Sequence, residues 1–211
     1  MIKLDSLKYY VPFMEKRNRA EFVLENRHFE VLELGNPLSE AEINIFEAKL
    51  GFRLPSQLRS YYLHWNGGLP CPVDIADDKS AWVRLYWKKG AEASSVGPAT
   101  SLQELFKIDS TPDTDFLSSW DDFKHRIPQD FLCFANDPGG SLFLIGIKDY
   151  NLGKIFFWES SYQANIGEGE TPNYDNIAFV ANSFVEFLLA LREEPNRGES
   201  LEDWVKRAYP E

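Results

Sequence analysis

The chain has 211 residues, of which 44% are hydrophobic and 15% aromatic, and this composition excludes a disordered protein. The length is sufficient for one well-buried core, and we expect a single domain. The net charge of -11 at pH 7 argues against partners that are themselves anionic, namely nucleic acids and acidic membrane surfaces.

Most of the negative charge falls in one segment. Residues 108–191 contain thirteen acidic and only four basic side chains, and residues 155–191 contain no Lys or Arg. A surface of this sign attracts basic partners, although it is also typical of a solvated surface that maintains solubility. The first 22 residues lack the apolar run of a signal peptide, and no stretch approaches the length of a membrane span. We therefore expect a cytoplasmic protein with both cysteines reduced.

The N-terminal third is predicted to contain three helices and one strand. Residues 15–26 are assigned to a helix, and the alternating residues 29–34 to an edge strand. Ser39, followed three positions later by Glu42, forms a capping box that begins a second helix. Gly51 ends this helix because glycine accepts a left-handed conformation.

A third helix follows, beginning at Pro55, whose missing N–H costs nothing in a first turn. Its apolar face consists of Leu58, Tyr61, Tyr62 and Trp65. The sequence NGG at residues 66–68 marks its end.

Strands dominate the remainder. Two strongly apolar runs, 142–147 and 154–158, predict a hairpin covered on both faces, which we place at the centre of the sheet. A helix is predicted to begin at Ser183. The other predicted elements are strands at 81–87 and 131–135, short helices at 101–106 and 120–125, and an amphipathic helix at 200–209. This order predicts an α+β fold with a largely antiparallel, twisted sheet and flanking helices.

Signals for catalysis are weak. No two histidines have metal-ligand spacing, and no nucleophile elbow or phosphate-binding loop occurs, so we expect no cofactor or metal. Asp109, Asp113 and Asp115 share a loop that lacks the glycine and glutamate of a calcium site. A hydrolase using Asp137, or the group of Asp121 and His125, stays open as an alternative.

Three blocks of sequence resemble the SUKH (Smi/Knr-like) superfamily. They are LGFRLP at residues 50–55 leading to WNGG at 65–68, FANDPGG at 134–140 leading to FFWE at 156–159, and VANSFVEFL at 180–188. The resemblance covers about residues 38–192. It leaves 1–37 as an N-terminal extension, expected to pack on the domain, and 193–211 as a C-terminal helical tail. Ser141 departs from the pattern, because the family often carries Asp after its glycine-rich turn.

The resemblance implies that the motif residues build the fold and perform no chemistry. These residues are Gly51, Leu54, Pro55, Trp65, Asn66, Gly67, Gly68, Gly139, Gly140, Gly153, Trp158, Ser183, Phe184 and Phe187.

The resemblance also implies a function in binding proteins. Bacterial members are similar to immunity proteins that neutralise toxins, often nucleases, within polymorphic toxin systems, whereas fungal relatives regulate cell-wall synthesis through their partners. We therefore expect a non-catalytic protein that binds a basic toxin domain, with a regulatory scaffold as the alternative. The candidate partner-binding residues are the acids Asp113, Asp115, Asp121, Asp122, Glu168, Glu170 and Asp175, with Tyr162 and Tyr174 as anchors.

Overall fold

A hairpin opens the part of the chain that a computed structural model describes, which comprises residues 19–76, 79–88, 95–108, 115–160, 172 and 174–210. Strand β1 (Ala20–Leu24) pairs antiparallel with β2 (Arg27–Leu32). Glu25 and Asn26 between them have φ angles of 48° and 71°, as a two-residue hairpin turn requires. β2 also pairs with β3 (Leu69–Pro72), which makes it the central strand of a three-stranded sheet.

This hairpin corrects two predictions. The helix predicted over residues 15–26 is wrong in its described part, and the strand predicted at 29–34 is real but central instead of an edge. The reason is that apolar residues recur at every second position in both strands, on either side of the turn. Phe22 stacks on Phe29 with ring centroids 4.9 Å apart, and both side chains are buried.

The two following helices agree closely with the sequence. α1 (Glu40–Leu50) has the complete capping box between Ser39 and Glu42, and Gly51 ends it at a φ of 82°. α2 (Ser56–His64) starts one residue later than predicted, because Pro55 is the capping residue and not the first helical one. Both helices are therefore confirmed.

The remaining described elements are mostly strands, interrupted by three helices. They are β4 (Ala81–Arg84), β5 (Ala99–Ser101), β6 (Glu104–Leu105), α3 (Phe116–Phe123), β7 (Phe131–Asn136), β8 (Leu142–Gly146), β9 (Ile155–Trp158), β10 (Ile177–Ala181), α4 (Phe184–Ala190), β11 (Arg192–Glu193) and α5 (Leu201–Ala208). The helix predicted at 101–106 is wrong. Residues there instead pair with β4 and β7, so tertiary pairing overrides the local capping pattern.

A five-stranded sheet in the order β10-β9-β8-β7-β6 forms the centre of the molecule. β8 is its middle strand and all five of its residues are buried, which confirms the predicted central hairpin. A third sheet has the order β11-β4-β5. Isolated bridges from Gly68 to Leu105 and from Tyr86 to Phe179 connect the three sheets. All strand pairings between named strands are antiparallel, so the α+β class is confirmed.

The two faces of the central sheet are covered by different helices. On one face, the ring centroid of Phe187 in α4 lies 5.3 Å from that of Phe143. The ring centroid of Phe143 lies 5.3 Å from that of Phe157. On the other face, the ring centroid of Phe123 in α3 lies 6.0 Å from that of Trp158. Because side chains alternate along a strand, Phe156 shares the α3 face with Trp158. We call this second face the α3 face.

The C-terminal helix α5 is attached through buried aromatic residues. Trp204 is fully buried, and its ring centroid lies 6.0 Å from that of Trp82. Its indole Nε1 donates to the carbonyl of Glu193 at 2.8 Å. The hydroxyl of Tyr209 donates to the carbonyl of Ala190 and accepts from the amide of Arg84. The predicted amphipathic helix at 200–209 is thus confirmed. Within the ranges given above, no helix is both long and apolar enough to cross a membrane.

Candidate protein-binding surface

Helix α3 displays the first group of predicted acids. Its N-cap is Asp115, whose carboxylate accepts the amide of Ser118 at 3.0 Å. This carboxylate therefore stabilises the N-terminus of the helix. Asp121 and Asp122 are exposed. The carboxylate of Asp121 lies 2.6 Å from Nζ of Lys124, an exposed pair that contributes little to stability. The helix thus presents carboxylates to solvent while its apolar side covers the sheet.

Among the acids of residues 108–191 that lie in the described part of the chain, two are buried. Asp137 is 5% exposed and Glu159 is 1% exposed. The carboxylate of Asp137 accepts the amides of Gly139 and Ser141, at 2.9 and 2.8 Å, and the hydroxyl of Thr100 at 3.0 Å. It therefore holds the glycine-rich turn in place. The charge excess of the surface is smaller than the sequence count suggests.

The geometry offers little to the hydrolase alternative. Both carboxylate oxygens of Asp137 accept hydrogen bonds from the turn and from Thr100, and Asp121 forms its ion pair with Lys124. In the described part of the chain, no three His, Cys, Asp or Glu side chains converge to hold a metal ion. Neither Cys71 nor Cys133 forms a disulfide, and burial raises the pKa of Cys133 to about 12, which makes it a poor nucleophile.

A second acidic group surrounds Tyr174, in the turn before β10. The hydroxyl of Tyr174 donates to the carboxylate of Asp130, the residue that precedes β7. The pKa of Asp130 is lowered, first by a hydrogen bond from Tyr150, then by the bond from Tyr174, with a smaller contribution from the charge of Lys148. The same bond to Asp130 raises the pKa of Tyr174. At neutral pH this cluster consists of a charged carboxylate and two protonated tyrosines.

Asp130 and Tyr150 were not among the sequence candidates. They lie 44 and 24 residues away from Tyr174 along the chain, and no spacing rule connects residues so far apart. Only the pairing of β7, β8 and β9 brings the start of one strand next to the turn between the other two. Tyr150 lies in that turn, which the sequence predicted between the two apolar runs, and is 66% exposed, so an aromatic residue in a predicted turn was the one available signal.

The two acidic groups border the same face of the sheet. The ring of Phe131 lies 6.0 Å from Tyr174 and 4.9 Å from Phe156, which belongs to the α3 face. Asp175 is exposed beside Tyr174. Of the other predicted residues, Asp113, Tyr162, Glu168 and Glu170 lie outside the described part of the chain.

The family-motif residues occupy turns, helix ends and the core. Leu54, Trp65, Asn66, Trp158, Phe184 and Phe187 are buried. Gly67, Gly68, Gly140 and Gly153 all have positive φ angles, and Gly139 lies in the turn closed by Asp137. Ser183 caps α4 by accepting the amide of Glu186 at 3.1 Å.

The sequence of this chain also matches a known protein family. The model of the SMI1 / KNR4 family (SUKH-1) matches residues 37–190, and the chain belongs to this family. It is a family of generally non-enzymatic immunity and regulatory domains. The chain is also similar to the SPbeta prophage-derived uncharacterized protein YokK of Bacillus subtilis (strain 168), with 24% identity over 185 residues, or 88% of each chain.

Proposed function

We propose that this protein is an immunity protein that neutralises a basic toxin domain, a nuclease, by binding it through the α3 face. The observation that carries the proposal is that two exposed acidic groups border one face of the sheet. They are Asp121 and Asp122 on α3, and Asp175 beside Tyr174, where the half-buried Asp130 adds a further carboxylate. Family membership supports a protein-binding role of this type.

The proposed mechanism is competition for the substrate cleft. A nuclease must hold phosphates, so its cleft is positively charged, and an acidic protein can cover that cleft as the substrate would. Charge complementarity accelerates association, whereas a few buried aromatic side chains at the centre provide affinity. An interface of standard size buries about 1,600 Å² in total.

Co-expression tests this proposal. An immunity gene is expected to lie beside its toxin gene, so the candidate partner is the product of the adjacent gene, expressed in a heterologous bacterial host with or without the protein. We expect host cells to survive when both are produced and to die when the toxin is produced alone. A catalytically inactive toxin provides the control for expression burden. Death of cells that contain both folded proteins contradicts the proposal.

A further inference from the structure

We propose that residues 192–210 form a strap that opens as one unit while the rest of the molecule stays folded. The strap comprises β11 and α5, and it lies beyond residues 37–190, which the family model matches. It begins directly after Leu191, which is fully buried in the main core and fixes the hinge. Opening uncovers the outer face of β4 and β5 and gives the protein a second, partly open folded state. This inference is independent of the proposed function.

The strap covers the side of the third sheet that faces away from the main core. Val83 of β4 is buried in that core, whereas the adjacent Trp82 points to the opposite side. There Trp204 of α5 packs on Trp82. In the described part of the chain, Trp204, Val205 and Ala99 form a small buried cluster of their own. Because this cluster is separate, α5 can leave without removing a side chain from the main core.

Hydrogen bonds inside the strap connect its two elements to each other. The indole Nε1 of Trp204 donates to the carbonyl of Glu193 at 2.8 Å. The guanidinium Nε of Arg192 donates to the carbonyl of Ala208 at 3.2 Å. Both bonds join α5 to β11, so they favour opening of the two elements together over opening of one after the other.

The strap is held to the rest of the chain by polar contacts near its two ends. At its start, Arg192 and Glu193 pair with β4, and the carboxylate of Glu194 accepts the amide of Ser80 at 3.2 Å. At its end, the hydroxyl of Tyr209 makes the two hydrogen bonds described above. Releasing these contacts and the small apolar cluster frees the strap.

The end of α4 stays capped when the strap opens. The last carbonyls of a helix have no partner within that helix. In the closed state, Nη1 of Arg192 donates to the carbonyls of Leu189 and Leu191, at 2.6 and 2.9 Å. Arg27 of β2 donates to the same two carbonyls at 3.1 and 2.7 Å, and Asp74 holds its guanidinium at 3.0 Å. A carbonyl oxygen has two lone pairs, so Arg27 keeps both carbonyls bonded after Arg192 has left.

Native-state hydrogen exchange of the full chain in low concentrations of urea tests the inference. The probes are the amides of Trp204 and Tyr209, bonded within the C-terminal helix, and the amide of Leu144 in the middle strand of the central sheet. We expect the first two amides to share one protection factor, at least about 100-fold lower than that of Leu144. Their protection should also fall less steeply with urea, because opening of the strap exposes less surface than global unfolding.

Two results of this experiment would overturn the inference. Equal protection and equal urea dependence for all three amides would show that the strap unfolds only with the whole molecule. Different protection for Trp204 and Tyr209, with no response to urea, would show that α5 frays residue by residue.

The variant Trp204→Asp provides a second measurement, because it places a charge in the small apolar cluster. We expect the amides of α5 to lose their protection, whereas Leu144 stays protected by at least about 100-fold. Loss of protection at Leu144 together with α5 would contradict separate opening. Ile45→Asp is the control, since Ile45 is 58% exposed on α1, and the protection of α5 should change by less than about twofold.

The capping function of Arg27 is tested by combining Arg27→Met with Trp204→Asp. The probe is the amide of Leu191, which donates to the carbonyl of Leu188 at the end of α4. Because either arginine can cap this end, we expect the combined variant to accelerate exchange at least about fivefold more than the product of the two single effects. Effects that simply multiply would overturn the claim that Arg27 replaces Arg192 when the strap opens.

Discussion

Replacing Gly68 with alanine is expected to destabilise the protein by about 2–5 kcal/mol, because two penalties combine. Gly68 has a φ of 84°, a conformation in which an L-residue costs about 1–2 kcal/mol. A Cβ atom at this position would also lie 2.5 Å from the carbonyl oxygen of Leu32, which belongs to β2 and cannot move away without disturbing the sheet.

Gly68 occupies the junction of two sheets, which makes this clash costly. Its amide donates to the carbonyl of Leu105 and its carbonyl accepts the amide of Leu105, at 3.1 and 2.8 Å. The adjacent Asn66 accepts the amide of Ile108 and donates to the carbonyls of Ile108 and Asn36. Displacing the chain here would break these hydrogen bonds as well.

Urea unfolding of the Gly68→Ala variant measures the effect, and Gly140→Ala is the matched control. Gly140 has a similar φ of 79°, but a Cβ there would meet no atom within 4 Å. The control should therefore lose only the conformational part, about 1–2 kcal/mol. Equal losses of unfolding free energy in the two variants would show that the close approach of β2 to Gly68 does not contribute to the destabilisation.

Truncating Phe187 to alanine is expected to cost about 3–5 kcal/mol, the usual result for a fully buried phenylalanine. Phe187 is 0% exposed. Its ring centroid lies 5.9 Å from that of Phe134, 5.3 Å from that of Phe143 and 6.2 Å from that of Phe184. Because three rings surround the site, the cavity left behind cannot collapse easily.

The free energy of unfolding of Phe187→Ala, compared with that of Ile45→Ala, tests this prediction. Ile45 is 58% exposed on α1, so its truncation should change stability by less than about 0.5 kcal/mol. A loss below about 1 kcal/mol for Phe187→Ala would contradict the position of α4 against the central sheet.

Local signals predicted the elements whose causes are local. The capping box of Ser39 and Glu42, the αL glycine at position 51 and the serine cap of α4 all act within a few residues. The central hairpin was predictable because burial on both faces requires apolar residues at nearly every position.

Predictions were wrong where distant contacts decide the structure. Residues 101–106 carry a helix-like pattern, yet their backbone completes hydrogen bonds to β4 and β7. Residues 20–24 form a strand because Phe22 pairs with Phe29 and packs on Trp65. The pairing of Phe22 with Phe29 is local, and its period of two was the signal that the helical assignment missed, whereas Trp65 and the partners of residues 101–106 lie outside a local window.

The candidate surface was only partly predictable for the same reason. Counting charges identified residues 108–191 as acidic, but it could not reveal that Asp137 and Glu159 are buried. Nor could it place Asp130 beneath the hydroxyls of Tyr150 and Tyr174. Steering depends on the sum of the exposed charges, and the exposed acids among the described candidates lie on α3 and in the turn before β10.

The association rate constant for the toxin domain, measured against salt, tests the acidic interface most directly. Between ionic strengths of about 0.01 M and about 1 M the Debye length falls from about 30 Å to about 3 Å. We predict that the rate constant for the wild type falls at least about tenfold over this range, and that Asp121→Asn/Asp122→Asn shows a weaker dependence. A rate constant that does not change with salt, and is the same in both proteins, would contradict electrostatic capture by this face.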